Sequence, residues 1–192
     1  MSIKRIFLDT ETTGLDPFKN DIIELGGVIE TEEAPDVIFT AEEFLFKMAP
    51  RNWDSISEEA LKINKTTVEE LKSYPPPMVV YDEFIGLLDK YIDRYDKKDK
   101  FIFIGWNVYF DWNFLRSFFT KSGNKYFGSW FFWPPLGVEC LAIEKLIKNR
   151  WTLENFHLST VAEKLKIEQD STLAHSALYD ASVTRDVYYA VR

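Results

Sequence analysis

The stretch "IFLDTETTGLDPFKND", Ile6 to Asp21, places acidic residues directly after an apolar run. Its first three residues predict a strand of the sheet core, and Asp9 and Glu11 follow at once. Because side chains alternate faces along a strand, these two carboxylates point the same way. They repel each other strongly unless one is protonated or a cation lies between them. Hard oxygen ligands of this kind suit Mg²⁺ or Mn²⁺, so the stretch predicts a divalent-metal site at the end of a buried strand.

The length and composition of the chain limit its class. At 192 residues it is long enough for one compact domain, predicted to span residues 1–192. No apolar run approaches the length needed to cross a bilayer, and the first residues lead into a strand without the layout of a signal peptide. We therefore expect a cytoplasmic protein with no membrane partner.

The charge of the chain argues against one common way of binding nucleic acid. A net charge of −8 does not provide a broad basic surface. It is compatible with a nucleic-acid enzyme, because bound divalent cations can hold phosphate and aromatic rings can stack on bases. Aromatic residues make up 16% of the chain, so stacking is available.

Two side chains that often carry chemistry are predicted to have a structural role here. Cys140 is the single cysteine, so it cannot form an internal disulfide, and it lacks the neighbours of a zinc site. We expect it to be a small buried apolar residue. His157 is expected at the surface or as a hydrogen-bonded structural residue.

Hydrophobic patterns predict strands first and then helices. Strands are expected at residues 3–9, 21–30 and 42–50, as an antiparallel meander, and at 101–107. Helices are expected at residues 55–63, 66–74, 78–95, 109–123, 138–149, 158–167 and 176–191. Thr66 and Glu69 fit a capping box at the start of the second helix. This order predicts an α/β fold with a mixed sheet.

The segment "YFGSWFFWPPLGVE", Tyr126 to Glu139, is unusually aromatic. Such a segment usually packs into the core. The alternative is an exposed apolar patch that meets a partner or a substrate.

Phosphate chemistry with metals needs more ligands than one strand provides, and two further acids stand at suitable places. Asp111 follows a buried strand within an apolar context, and Asp180 lies five residues after His175. A separation of five puts two residues on different sides of a helix. We therefore place His175 before the helix, with Ser176 at its N-cap and Asp180 about one turn in, so that the histidine can lean over the carboxylate.

Three segments together resemble a known family. "FLDTETTGLD", "GWNVYFDWNFL" and "HSALYDA" occur in this order and closely resemble the three motifs of the DEDD superfamily of 3′-to-5′ exonucleases. The histidine branch of that superfamily has His five residues before the last Asp, and the tyrosine branch has Tyr four residues before it. Here position 175 is His and position 176 is Ser, so the chain resembles the histidine branch.

The resemblance implies a fold and a mechanism. The expected fold is a ribonuclease H-like α/β domain whose mixed five-stranded sheet has three antiparallel N-terminal strands plus parallel strands, flanked by helices. By the same resemblance, the metal-binding acids are Asp9, Glu11, Asp111 and Asp180, and His175 is the general base. Two Mg²⁺ or Mn²⁺ ions about 4 Å apart would support in-line hydrolysis that releases nucleoside 5′-monophosphates.

The contacts with substrate are predicted around the same motifs. The backbone amides of Thr12 and Thr13, at a turn eased by Gly14, are expected to hold the terminal nucleotide, and Leu15 to wedge against its base. Further expected contacts are Trp106, Asn107 and Phe110, although the two aromatic residues could equally be core.

The expected substrate is the single-stranded or frayed 3′ end of a nucleic acid, with DNA favoured. A polymerase or another replication or repair protein is a possible partner. Two alternatives stay open: an exonuclease that trims RNA, and an inactive exonuclease-like module that only binds.

Overall fold

The computed structural model describes residues 2–34, 37–170 and 172–192. Its sheet has five strands, in the spatial order β3, β2, β1, β4, β5. The strands are β1 (Ile3–Thr12), β2 (Ile22–Ala34), β3 (Val37–Lys47), β4 (Phe101–Gly105) and β5 (Leu136–Gly137). The first three are antiparallel, whereas β4 and β5 run parallel to β1. The predicted α/β fold with a mixed five-stranded sheet is confirmed.

Seven α-helices flank this sheet in the described part of the chain. They are α1 (Glu58–Ile63), α2 (Val68–Leu71), α3 (Pro77–Asp89), α4 (Val108–Lys121), α5 (Val138–Lys145), α6 (Leu158–Lys164) and α7 (Ala177–Val191). None of the helices found among these residues is long and apolar enough to span a membrane.

The alternation of side chains along β1 divides the core into two layers. Ile6 and Leu8 pack with α3 and α4 on one face, and Phe7 packs with α5, α6 and α7 on the other. Both layers are rich in buried aromatic or branched side chains, whose burial is the main favourable term in folding. Because β1 is central and covered on both faces, its C-terminal end is held rigidly where the acids begin.

Several local predictions need correction. The third helix ends at Asp89 instead of residue 95, because the charged run after it forms turns. The second helix is capped by Thr67, whose side chain accepts a hydrogen bond from the Glu70 amide, so the predicted cap at Thr66 is one residue early. Cys140 is exposed, since it lies on the outer side of α5, and the prediction of a buried residue is wrong.

The aromatic segment Tyr126 to Glu139 is divided between both expected roles. Phe127, Trp130 and Phe131 are buried and complete the core beside α4. Tyr126 and Trp133 are mostly exposed. The segment also supplies the short edge strand β5.

Candidate active site

The end of β1 brings the first two acids to one edge of the sheet. Asp9 lies opposite Gly26 of β2, and Glu11 lies opposite Glu24. Asp9 is partly buried and Glu11 is buried. The strand therefore continues through the acidic residues, and their carboxylates belong to the same face as Phe7.

The start of α7 lies directly on β2 at this point, and Gly26 allows the contact. A Cβ atom at Gly26 would lie 2.2 Å from the backbone nitrogen of Leu178, which no side chain can accept. The amide of Ala177 donates a hydrogen bond of 3.0 Å to Glu24 Oε2, so a β2 carboxylate holds the first turn of the helix. These two contacts fix the position of His175 and Asp180.

The predicted arrangement of the last motif agrees with the structure. Ser176 is the N-cap residue of α7, His175 precedes it with a φ of 66°, and Asp180 lies in the first turn. Glu11, His175 and Asp180 each offer a ligand atom, and these three atoms all lie within 4.8 Å of one another. The loop before α7 is also held by Lys65, whose Nζ donates a hydrogen bond of 3.1 Å to Ala174 O.

Asp111 reaches the same edge from the opposite face of the sheet. It lies in the first turn of α4 and is only 2% exposed. Its Oδ1 accepts hydrogen bonds from the backbone amide of Thr10, at 3.0 Å, and from the Thr10 hydroxyl, at 2.8 Å. Thr10 therefore holds the Asp111 carboxylate against the part of β1 that carries Asp9 and Glu11.

The four acids strongly disturb one another. Burial and then the neighbouring carboxylates raise the pKa of Glu11 to about 8, with Asp180 the first of these neighbours. Burial and then Asp111 and Glu11 raise the pKa of Asp9 well above its ordinary value. Burial raises the pKa of Asp111 to about 7 despite its hydrogen bonds from Thr10, and burial raises the pKa of Asp180. Together they form a buried or partly buried cluster in which ionisation of all four carboxyl groups is unfavourable without a cation.

This cluster fits divalent cations. All of its ligand atoms are carboxylate oxygens apart from the imidazole nitrogen of His175, which suits Mg²⁺ or Mn²⁺. In the described part of the chain, Asp9, Glu11, Asp111 and Asp180 take part in no salt bridge with Lys or Arg. A cation would remove the repulsion that the protein itself leaves in place.

A cavity of about 560 Å³ opens beside Glu11. Its apolar lining includes Leu15 and Ile63, which are exposed to solvent, and Phe110, which is partly buried. Polar and charged residues also line it, among them Thr12. Apolar side chains next to the Glu11 carboxylate suit a nucleotide whose phosphate faces the acids.

The other predicted contacts lie outside this cavity. Thr13 is fully buried and its amide already donates to Asp21 O at 2.9 Å, so the structure does not leave that amide for a nucleotide. Trp106 packs against the core on the α7 side. Asn107 has a left-handed backbone, and its amide donates to Glu139 Oε2 at 3.2 Å.

Sequence reasoning missed two residues that position the site. Glu24 holds the start of α7, and Gly26 permits its close approach to the sheet. A signal for Gly26 exists, since two adjacent glycines in the middle of the apolar stretch "IIELGGVI" indicate a close contact with another backbone. Glu24 carries no comparable signal, because it is one acid among 31.

Comparison with known proteins gives consistent results. A family model described as exonuclease matches residues 6–188. The chain is 32% identical over 187 residues to the PolC-type DNA polymerase III of Thermotoga petrophila, a match that covers 95% of this chain and 11% of that protein. It is 26% identical over 194 residues to the epsilon subunit of DNA polymerase III from Rickettsia prowazekii, which covers 99% of this chain and 74% of that protein.

A solved structure shares the fold. Exonuclease I of E. coli, in a zinc-bound complex with single-stranded DNA, superimposes with a TM-score of 0.75 at 19% identity, over 100% of this chain and 40% of that one. The chain thus spans about a tenth of the PolC-type relative and about three quarters of the epsilon relative.

Proposed function

We propose that this chain, which belongs to the exonuclease family and to the DEDD superfamily of 3′-to-5′ exonucleases, removes nucleotides from the 3′ end of a DNA strand. The reaction is metal-dependent hydrolysis that releases nucleoside 5′-monophosphates. The observation that carries the proposal is the convergence of Glu11, His175 and Asp180 within 4.8 Å. The partly buried Asp9 and the buried Asp111 lie close to this group.

The spacing of the last motif supports membership of the histidine branch. His175 lies five residues before Asp180 and outside the helix, and its imidazole is exposed beside the two carboxylates. An exposed imidazole can accept a proton from a water molecule that enters the site and return it to solvent. We assign His175 as the general base.

Asp9, Glu11, Asp111 and Asp180 would hold the divalent ions, with Mg²⁺ or Mn²⁺ as the chemically suitable metals and two ions as the expected number. When bound, such ions supply positive charge that stabilises the charge developing on the phosphate oxygens. The protein contributes fixed positions for the carboxylates. Thr10 holds Asp111, and Glu24 and Gly26 hold the helix that carries Asp180.

The cavity beside Glu11 is the proposed site of the terminal nucleotide. Leu15 and Phe110 would enclose its base, with Ile63 as an additional apolar contact. Thr12 and Gly14 would face its sugar and phosphate. Trp106 and Asn107 stay candidates for contact with the next nucleotide, because both precede α4 close to Asp111.

The similarity to two polymerase III proteins supports a role next to a polymerase, at single-stranded or frayed 3′ ends. Proofreading is the corresponding process. The expected location is the cytoplasm, where a DNA polymerase of a bacterium acts.

One experiment tests the function. The protein is incubated with single-stranded DNA, duplex DNA and RNA, each labelled at the 3′ or the 5′ end, with Mg²⁺, Mn²⁺ or EDTA. We expect immediate release of the 3′ label as mononucleotide, a shortening series that keeps the 5′ label, and no product with EDTA.

Other results would contradict the proposal in distinct ways. Early release of the 5′ label would reverse the polarity, and cleavage unaffected by EDTA would exclude the metal mechanism. Faster cleavage of RNA than of DNA would make the chain an RNA-trimming enzyme. Binding of all three substrates without any product would favour the inactive module.

A further inference from the structure

The turn after β1 exposes two large apolar side chains on a backbone that is firmly held. Leu15 is 85% exposed and Phe18 is 86% exposed. The amides of Lys19 and Asn20 both donate to Asp16 O, and the Phe18 amide donates to Asp16 Oδ1 at 2.9 Å. Exposed apolar residues on a mobile loop can fold back onto the surface, but this turn keeps both in solvent, which points to a binding role.

The turn has a second anchor on α4. The hydroxyl of Ser117 donates a hydrogen bond of 2.5 Å to Pro17 O, and Lys121 Nζ donates to Asn20 O at 2.7 Å. The turn therefore separates two cavities and contributes residues to the lining of each. Leu15 and Lys19 line the cavity beside Glu11, whereas Pro17 and Phe18 line a groove on the other side.

This groove has a volume of about 580 Å³ and an unusual lining for such an acidic chain. Besides Pro17 and Phe18, it is formed by polar or cationic residues of α4: Asn113, Arg116, Ser117, Thr120 and Lys121. None of its lining residues is acidic, although the chain has 31 acidic residues and 23 basic ones. Lys121 is engaged by Asp21, but the exposed Arg116 forms no ion pair within the described residues.

The groove continues the proposed nucleotide site along one helix. Phe110 of α4 lines the cavity beside Glu11, and Asn113, Ser117 and Thr120 line the groove. Steps of three and four residues place these side chains on one face of α4. A strand whose 3′ end lies at the acids can follow this face past the turn.

We propose that this groove binds the part of a single nucleic-acid strand that lies 5′ of the nucleotides in the cleavage site, with Phe18 stacking on a base and Arg116 contacting a phosphate. The inference rests on the proposed function and extends its substrate site. Aromatic stacking combined with cationic and hydroxyl contacts to the backbone is the usual chemistry of binding to single strands without sequence preference. A protein partner is less well matched, since the groove offers only two apolar side chains.

The test compares a minimal substrate with longer ones. Phe18→Ala and Arg116→Ala are assayed on the p-nitrophenyl ester of thymidine 5′-monophosphate and on oligodeoxythymidylates from the dinucleotide upward. Tyr95→Ala is the control for Phe18, because Tyr95 is 83% exposed and lies in the turns after α3. Arg150→Ala, an exposed arginine beyond α5, is the control for Arg116.

We expect both variants to hydrolyse the ester like the unaltered protein. For oligonucleotides beyond a threshold length, KM should rise roughly tenfold in Phe18→Ala, which corresponds to the loss of one stacked base. In Arg116→Ala, the dependence of log affinity on log salt concentration should become shallower by about 0.7, as for one phosphate contact to a single strand. The two controls should show neither effect.

The outcomes separate the groove from the active site. If the variants bind and degrade long strands as the controls do, or lose activity equally on the ester, the groove is not a strand site, and a protein partner becomes its better occupant. If the unaltered protein cleaves neither substrate, the proposed function fails. Fluorescence anisotropy of labelled strands with Phe18→Ala and Arg116→Ala then still decides whether the groove binds them.

Discussion

Buried or partly buried acids lie at two places on the paired strands β1 and β2: Glu30 forms the first set, and Asp9 and Glu11 form the second. The first set has a cationic partner and the second lies among further carboxylates. Towards one end of β2, Glu30 is completely buried and paired with Arg185 Nε at 2.5 Å and with the Tyr189 hydroxyl. At the other end, Asp9 and Glu11 face further carboxylates, and their pKa values rise. The first acid is neutralised from within the chain, whereas the second set has no salt bridge to Lys or Arg among the described residues.

The same helix serves both sets, which makes the difference informative. The first turn of α7 adds another acid, Asp180, to the unneutralised cluster, and its later turns supply Arg185 and Tyr189 to Glu30. The later turns of α7 are therefore anchored by the ion pair of Arg185 with Glu30, whereas Asp180 at its start lies beside other carboxylates. The later turns of α7 contribute to stability and its start carries the proposed catalytic residues, so substitutions at the two ends should have separable effects.

The largest effect is expected at the unneutralised end. Asp180→Asn should lower kcat/KM by about a thousandfold or more, because it removes a charge that holds the divalent ions. The metal-free protein should unfold at the same or a higher temperature, since one repelling carboxylate is gone. Asp186→Asn, a more exposed acid on the same helix, is the matched control. Asp180→Asn with undiminished activity would disprove the metal model.

The next effect separates the base from the ligands. His175→Ala should lower kcat by about 10² to 10⁴. The other histidine, His157, is exposed and lies at the start of α6, so His157→Ala should leave the rate unchanged. If His175→Ala kept a normal rate at neutral pH, another group would be the base.

The neutralised end should respond in stability instead of activity. Arg185→Met leaves Glu30 buried with the Tyr189 hydroxyl as its remaining side-chain partner, and should lower the free energy of unfolding by about 3–5 kcal/mol. Urea unfolding measures this loss, and the folded fraction should keep its specific activity. Arg150→Met, at the surface, is the control. An equal loss of activity in Arg185→Met would mean that the two ends of α7 are coupled.

The difference between these two sets also explains what the sequence could predict. The sequence predicts Asp9, Glu11 and Asp111 as candidate site residues because each follows an apolar strand, and His175 and Asp180 because of their spacing at the start of a helix. Their roles stay predictions. The family prediction that rests on these motifs is confirmed. The mixed five-stranded sheet with three antiparallel N-terminal strands followed from the strand pattern and the same resemblance, whereas the spatial order of its strands was not predicted.

Other features depend on contacts between distant segments, which leave no local pattern. The pairing of Glu24 with the Ala177 amide joins residues 153 positions apart. The short strand β5 consists of two residues in an aromatic segment, so it shows no strand periodicity. The exposure of Cys140 likewise depends on which side of α5 packs against the rest of the protein.

A smaller effect follows from the raised pKa values. Burial and neighbouring acids raise the pKa of Glu11 from 4.5 to about 8. Between these two pH values, Glu11 is protonated in the folded metal-free protein and ionised in the unfolded chain. Its free energy of unfolding must therefore fall as pH rises through this range, by a few kcal/mol.

Thermal unfolding of the metal-free protein across that pH range measures the decline. Mg²⁺ or Mn²⁺ should reverse most of it at the alkaline end, and Glu11→Gln should flatten it, because its amide cannot ionise. A stability that rises with pH in the absence of metal would contradict the repulsion at this end of the sheet.

The smallest effect is expected at Glu24, which belongs to both sets. Its carboxylate is paired with Lys47 at 2.8 Å, like the neutralised acids, yet it also raises the pKa of Glu11 opposite it. Its main contact is the hydrogen bond from the Ala177 amide at the start of α7. Glu24→Ala should cost about 1 kcal/mol of stability and lower kcat roughly tenfold, because the first turn that carries Asp180 loses its anchor. Glu24→Gln keeps an acceptor oxygen and should recover most of kcat, whereas a Gln variant as slow as the Ala variant would show that the charge of Glu24, and not its hydrogen bond, serves the site.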